Sequence, residues 1–148
     1  MVTMIATRRN IDRACAYADV VVGAVLVPGE RAPIVLTRET LKKMKPRSLV
    51  IDLSIDLGGC FESSRPTTHD HPTYVEDGIV HYCVPNVPAM VARTSTYAFV
   101  NAAMPYILEI ARDGIEKAMH TYPGIELAIN THGGNLVHLH QWYTEEGD

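Results

Sequence analysis

The chain has 148 residues, the length of one ordinary domain, and its 47% hydrophobic and 20% charged side chains point to a globular fold rather than a disordered or fibrous one. A net charge of −4 with no long basic run gives no reason to expect nucleic acid as a partner. No apolar stretch approaches a membrane-spanning length, so no membrane partner is expected either.

Taken in chain order, "VTMI" near the start reads as a remnant strand. A short helix follows, with Asn10 as its cap and Asp12 in a first turn whose positive end favours an acid. "ADVVVGAVLVPG" (18–29) is a β-branched run closed by Pro28-Gly29, which predicts a buried strand at 20–26. "TRETLKKMK" predicts a short helix capped by Thr37, with Leu41 and Met44 on one face and Pro46 ending it. "SLVIDLSI" (48–55) and "GIVHYCVPN" (78–86) predict two further strands. Strand, helix and strand at this spacing imply right-handed βαβ units and a parallel sheet covered on both faces. Beyond Pro88 the pattern turns helical. Tyr97, Val100, Met104, Ile107, Leu108 and Ala111 recur at helical spacing over 94–114, behind hydroxyl caps and with a kink expected at Pro105. That stripe is read as packing surface facing another domain or subunit. Short helices are expected at 115–120 and around 124–130, before a ragged tail.

Ligands of open parallel sheets sit outside the carboxyl ends of the strands. Here those ends are "AVLVPG", "SIDLGG" and "CVPNVP", which bring Val25, Leu26, Asp56, Gly58, Gly59, Asn86 and Val87 to one edge. Glycines there would let the backbone approach a ligand closely, and the Asp56 carboxylate can accept a hydrogen bond or a proton. The rival reading is a plain Asp-x-Gly-Gly turn. Asp52, four residues earlier on a regular strand, is expected on the same side in a structural role, satisfied by backbone or by neighbours near Ser54.

The segments "ADVVVGAVLVPGERAP", "MKPRSLVIDLSIDLGGCFESSRPTTHDHPTYVEDGIVHYCVPNVP" and "RTSTYAFVNAAMPY" together resemble the alanine dehydrogenase family, whose more distant branch is the nucleotide-binding subunit of nicotinamide nucleotide transhydrogenase. The resemblance implies an α/β fold: a partial Rossmann-type parallel sheet followed by C-terminal helices. Residues 1–88 would be the C-terminal half of an NAD(H)-binding domain, and 89–148 a helical segment of the catalytic (substrate) domain. It implies NAD as cofactor, L-alanine and pyruvate as substrate and product, and a homo-oligomer or pairing with a front-half chain. In the complete enzyme, hydride would pass between C2 of alanine and the nicotinamide, leaving an imine for water to hydrolyse. Asp56 matches the family's active-site aspartate. Asn86 matches an asparagine beside the nicotinamide ribose. Val25, Leu26 and Leu53 match positions lining the cofactor, as does Val87, where methionine is usual. Leu57 stands where glutamine is usual, which would remove a polar contact at the strand tip.

The phosphate-binding G-x-G-x-x-G of that family occurs nowhere in the 148 residues; the glycine pairs at 58–59 and 133–134 have the wrong spacing. Without that turn a pyrophosphate loses its main anion site. The chain is therefore expected to be the C-terminal portion of an alanine dehydrogenase-like protein, inactive alone. The apolar strand at 20–26 would be an edge prone to association. The alternatives are a non-catalytic nucleotide-binding remnant and a transhydrogenase-like NAD(H)-binding subunit.

Other residues have plainer readings. The histidine pairs His69/His71 and His138/His140 have i,i+2 spacing but no companion ligands, so no metal site is assigned. His81 reads as a satisfied core residue and Cys60 as a small buried filler. Arg65, Thr67 and Thr68 are expected to order the loop after Asp56. Cys15, Cys60 and Cys83 lack CxxC spacing and are odd in number, which suggests reduced thiols and a cytoplasmic setting.

Overall fold

The structure, a computed structural model, describes residues 2–137; the pair His138/His140 lies outside them. The chain divides into two compact units, Met1–Val87 and Pro88–Asp148.

The first unit is built on a four-stranded sheet. Helix α1 (Arg8–Tyr17) precedes strand β1 (Val20–Gly23), and helix α2 (Arg38–Leu41) precedes strand β2 (Leu49–Asp52). Strands β3 (Thr73–Glu76) and β4 (Ile79–Tyr82) follow, in the spatial order β1-β2-β4-β3. β1, β2 and β4 are parallel, with Gly23 opposite Asp52 and Ile51 opposite Tyr82. β3 runs antiparallel to β4. It is joined through Asp77-Gly78, where both residues have positive φ (51° and 78°), as a tight two-residue hairpin turn requires. This edge strand was absent from the sequence reading, although "VEDGIV" carries the Asp-Gly signal for it.

Each parallel strand is shorter than expected, and side chains explain two of the endings. β1 stops at Gly23 because the Ser54 hydroxyl takes both main-chain groups of Val25: it accepts from the N–H at 2.7 Å and donates to the C=O at 2.8 Å. β2 stops at Asp52 because its carboxylate accepts the Ser54 N–H at 2.9 Å. The chain then turns through a 3-10 helix, Ile55–Leu57. Residues 2–6 form no strand.

α1 is capped by Thr7 rather than Asn10. The Thr7 hydroxyl accepts from the Asn10 N–H, while the Asn10 side chain donates to the Ile5 carbonyl at 2.9 Å. Asp12 therefore lies beyond the first turn and serves another purpose. Its carboxylate accepts from the Thr40 hydroxyl at 2.7 Å and from Lys43 Nζ at 2.9 Å, tying α1 to the α2 region. The Lys43 hydrogen bond holds the Asp12 carboxyl below its ordinary value. Thr37 caps α2 as expected, accepting from the Thr40 N–H. Leu36, Leu41, Met44, Val50, Phe61 and Ile79 form the centre of the core, joined by Cys15 and Cys60.

A 3-10 turn (Val87–Val91) begins at the last residue of the first unit, and the second unit continues with α3 (Ala92–Asp113), α4 (Ile115–Thr121) and α5 (Pro123–Leu127). A small hairpin, β5 (Thr131–His132) and β6 (Asn135–Leu136), closes the described residues. α3 has no side-chain cap; of the expected hydroxyls, Ser95 instead donates to the Pro88 carbonyl at 3.0 Å. The helix stays continuous through Pro105. Tyr97, Phe99, Met104, Tyr106, Ile107 and Leu108 are all exposed, whereas Glu109 is buried and paired with Arg112 at 2.6 Å. No helix among the described residues is long and apolar enough to cross a membrane.

Two glycines of the first unit predict contrasting costs. A Cβ on Gly78 would meet nothing, so Gly78→Ala should cost only the backbone strain of an L residue at φ 78°, about 1–2 kcal/mol. A Cβ on Gly23 would lie 2.3 Å from Cys60 Sγ and 2.7 Å from Phe61 Cζ; Gly23→Ala should therefore cost about 3 kcal/mol or more by overpacking. Chemical denaturation of the two variants ranks them, and equal costs would refute the packing argument.

Burial, followed by the Asp52 charge, pushes the Cys60 thiol from 9.0 to about 11. The native protein should therefore resist alkylation of Cys60 at pH 8 and react only once denatured. The raised value also fixes a pH dependence. Below pH 9 the thiol is neutral both folded and unfolded, and its contribution to stability is intact. Between about 9 and 11 the unfolded chain ionises first, so stability falls as pH rises through that window. A melting temperature in Cys60→Ala with the same slope as wild type over that window would remove this explanation.

Candidate functional site

Because β1, β2 and β4 are parallel, their C-terminal ends open onto the same edge of the sheet. Three loops leave that edge, beginning at residues 24, 53 and 83, and all the sequence-nominated residues lie on them. Val25 is half-buried, packed on the core and held by Ser54. Leu26 is exposed. Leu53 is also exposed, and its N–H donates to the Gly23 carbonyl at 2.8 Å, continuing the β1–β2 pairing by one bond. Asp56 is exposed in the 3-10 turn, one turn beyond the end of β2 rather than on the strand itself.

Asp56 and Asn86 come together. The Asn86 N–H lies 3.2 and 3.1 Å from the two carboxylate oxygens of Asp56, a bifurcated bond that orients the carboxylate. Asn86 has φ 52°, a left-handed conformation that asparagine tolerates better than most residues, and this conformation brings its N–H to Asp56. Val87, next in the chain, is half-buried.

Asp52 and Asp56 have opposite environments, contrary to the expectation that a regular strand would put them on one side. Asp52 is 1% exposed. Its Oδ1 accepts from the Ser54 N–H at 2.9 Å and the Cys60 thiol at 3.4 Å. Its Oδ2 accepts from the Cys60 N–H at 2.9 Å, the Phe61 N–H at 3.4 Å and the Ser64 hydroxyl at 2.5 Å. The structural role expected for Asp52 is thus visible atom by atom.

The two glycines after Asp56 also serve the protein's own packing. A Cβ on Gly59 would fall 2.9 Å from Ser64 Cβ and 3.0 Å from Asp52 Oδ2, so only glycine lets the chain close over that carboxylate. The Arg31 side chain lies over Gly58, with Nε 2.6 Å from where a Cβ would be. Leu57 packs against the core, so the apolar residue at that position supports the turn from within.

The loop after Gly59 is ordered by hydrogen bonds and stacking. The Thr67 N–H donates to the Cys83 carbonyl at 2.9 Å, and its hydroxyl to the Pro72 carbonyl at 3.0 Å. Tyr74 accepts from the Arg65 N–H at 3.0 Å and donates to the Ser63 carbonyl at 2.7 Å. The Arg65 guanidinium lies 3.9 Å above the Tyr74 ring, whose other neighbour is the stacked His81 ring at 4.8 Å. Burial, with the Cys83 contact second, pushes the Tyr74 phenol well above its ordinary value. His81 is 1% exposed, with Nδ1 3.0 Å from the Ile79 carbonyl and Nε2 2.7 Å from the Ser63 hydroxyl. The carbonyl can only accept, so Nδ1 carries a proton. His69 and His71 are exposed on this loop. Asp52 and Ser54 went unassigned to the edge in the sequence reading; the D-x-S spacing just after an apolar strand is the signal that points to such a turn.

Comparison with known proteins agrees with this architecture. The family described as "Alanine dehydrogenase/PNT, C-terminal domain" matches residues 1–139. The alanine dehydrogenase of Halomonas elongata is 47% identical over 138 residues, covering 93% of this chain and 37% of that protein. That of Mycobacterium tuberculosis is 47% identical over 128 residues, covering 86% of this chain and 34% of that protein. A solved L-alanine dehydrogenase superposes with a TM-score of 0.72 at 42% identity, over 88% of this chain and 36% of that one. A transhydrogenase from Sinorhizobium meliloti superposes at 0.62 and 26% identity, over 91% of this chain and 36% of that one. The chain thus spans little more than a third of the length of the curated relatives it matches. Its strand order, its parallel C-terminal edge and these matches agree: the chain belongs to the alanine dehydrogenase/PNT family, aligning with the C-terminal domain of that family.

Proposed function

We propose that this chain supplies one wall of the dinucleotide cleft of an NAD-dependent L-alanine dehydrogenase. Residues 1–88 would form the C-terminal half of the NAD(H)-binding domain, and 89–148 a helical segment of the catalytic domain. The reaction is L-alanine, NAD+ and water giving pyruvate, ammonium, NADH and a proton. The observation that carries the reading is the Asp56 carboxylate: exposed, oriented by the Asn86 N–H, and on the C-terminal edge of three parallel strands.

The edge fits the nicotinamide end of a dinucleotide. Leu26 and Leu53 expose apolar surface there, on the same edge as the Asp56 carboxylate. When bound, NAD supplies the hydride acceptor. Asp56 accepts a hydrogen bond from the substrate's amino group or from the water that attacks C2, and holds the proton that water gives up. Leu26, Leu53 and Val87 screen that position from bulk water, and Asn86 keeps the carboxylate aimed. The 148 residues contain no Gly-rich turn for the pyrophosphate. In this proposal that group, and the carboxylate of alanine, are held by other polypeptide: a front-half chain, or further subunits of a homo-oligomer in the cytoplasm. A transhydrogenase-like subunit is the alternative, because the same edge would suit hydride exchange between two nicotinamide nucleotides.

The 148-residue polypeptide alone should form no NADH from alanine and NAD+. A chimera in which it replaces the matching third of the Halomonas elongata enzyme should do so, as followed by NADH absorbance. In that chimera, Asp56→Asn should lower kcat by roughly 10²–10⁴-fold, the usual worth of a general acid–base group. Unchanged kcat in Asp56→Asn would end the assignment, and nucleotide-to-nucleotide hydride exchange without alanine turnover would favour the alternative.

A further inference from the structure

We propose that Asp52 is the positioning residue of the Asp56 edge: one buried carboxylate holds the loops after β1 and β2 in register, so that Val25, Asp56 and Asn86 keep a single geometry. What the edge binds rests on the function proposed above; the coupling itself rests on geometry alone.

The loop that carries Asp56 is fastened at both ends to the same side chain. Asp52 accepts the Ser54 N–H at its start and the Cys60 N–H at its finish, with Asp56 between them. The Ser54 hydroxyl then grips both main-chain groups of Val25 on the neighbouring loop. Asp56 reaches the third loop through the Asn86 N–H. Bonds therefore run from Asp52 directly to the second loop and through Ser54 to the first, and the turn that Asp52 closes carries Asp56, whose exposed bonds to Asn86 reach the third.

The donor set shows why the group is a carboxylate. Each oxygen faces at least one main-chain N–H, which can only donate: Ser54 on Oδ1, Cys60 and Phe61 on Oδ2. An asparagine of the same shape must turn its NH2 toward one of them in either flip, leaving donor against donor. An apolar residue would fill the space with less desolvation cost but would fasten none of these points. Gly59 completes the fit, since only a residue without a Cβ lets the loop pass this close to Oδ2.

The test is amide hydrogen exchange, followed by NMR, on the full 148-residue chain. In Asp52→Asn the Val25 and Asn86 amides, which do not touch Asp52, should exchange roughly ten- to a hundredfold faster than in wild type. The slow amides of the β3–β4 hairpin should change by a much smaller, common factor. Ser54→Ala should free Val25 and leave Asn86 as it was. Ser64→Ala removes one donor and keeps the carboxylate, so it should reproduce the Asp52→Asn pattern at smaller amplitude; it decides the matter if Asp52→Asn does not fold. A uniform acceleration of hairpin and edge amides alike would mean that Asp52 only adds global stability, and would overturn the proposal. The chimera described above separates the two ideas. A fall in its kcat on Asp56→Asn supports the dinucleotide reading. Unchanged kcat there, with the localised exchange pattern intact, overturns that reading and leaves the positioning role standing.

Discussion

A carboxylate sealed from water loses its hydration and must recover that free energy from hydrogen-bond donors, or it cannot remain charged inside a fold. Asp52 is 1% exposed and recovers it from three main-chain N–H groups, a hydroxyl and a thiol. The arrangement of the C-terminal edge follows from that requirement. To deliver those donors the chain must stop being a strand at residue 52, turn through Ile55–Leu57 and double back at Gly59. The same turn leaves Asp56 outside and wet. Two acids four residues apart thus take opposite environments, because the first has bent the chain that carries the second.

The parallel sheet converts this local geometry into a site. Three parallel strands end on one edge, so residues far apart in sequence become neighbours there: position 25 meets 54, and 56 meets 86. The antiparallel β3 caps the opposite flank through a two-residue turn and brings Tyr74 over His81. With Arg65 on the outer face of Tyr74, that stack anchors the far end of the loop that begins at Asp56. The turn that carries Asp56 is therefore held at both its ends by Asp52, and the chain beyond it by a cation–π and ring stack.

The helical unit has a different character. α3 exposes aromatic and aliphatic side chains on much of its surface, and its one buried residue is an acid paired with arginine. A helix that is apolar on so many sides gains little by standing in water. Of the stripe expected from sequence to be packing surface, Tyr97, Met104, Ile107 and Leu108 are exposed.

The primary sequence alone was enough for the strand–helix–strand order, the parallel sheet, the edge on which Val25, Leu26, Asp56 and Asn86 gather, the cap of α2 and the long helix from the nineties. These follow from local rules: apolar period, hydroxyl caps, Gly and Pro punctuation. Local rules also held the β3 hairpin, through Asp77-Gly78, and it was missed by reading 78–86 as a lone strand. Tertiary structure alone decided where β1 stops, because the group that ends it, the Ser54 hydroxyl, comes from elsewhere in the chain, and it alone brought a donor as distant as Ser64 to Asp52. It also decided the use of Gly58 and Gly59, which as letters suggest space for a ligand and in three dimensions make room for Arg31, Ser64 and Asp52. Periodicity records which face of a segment is buried; it holds no record of which distant donor a buried charge will find, and that pairing exists only once the chain has closed.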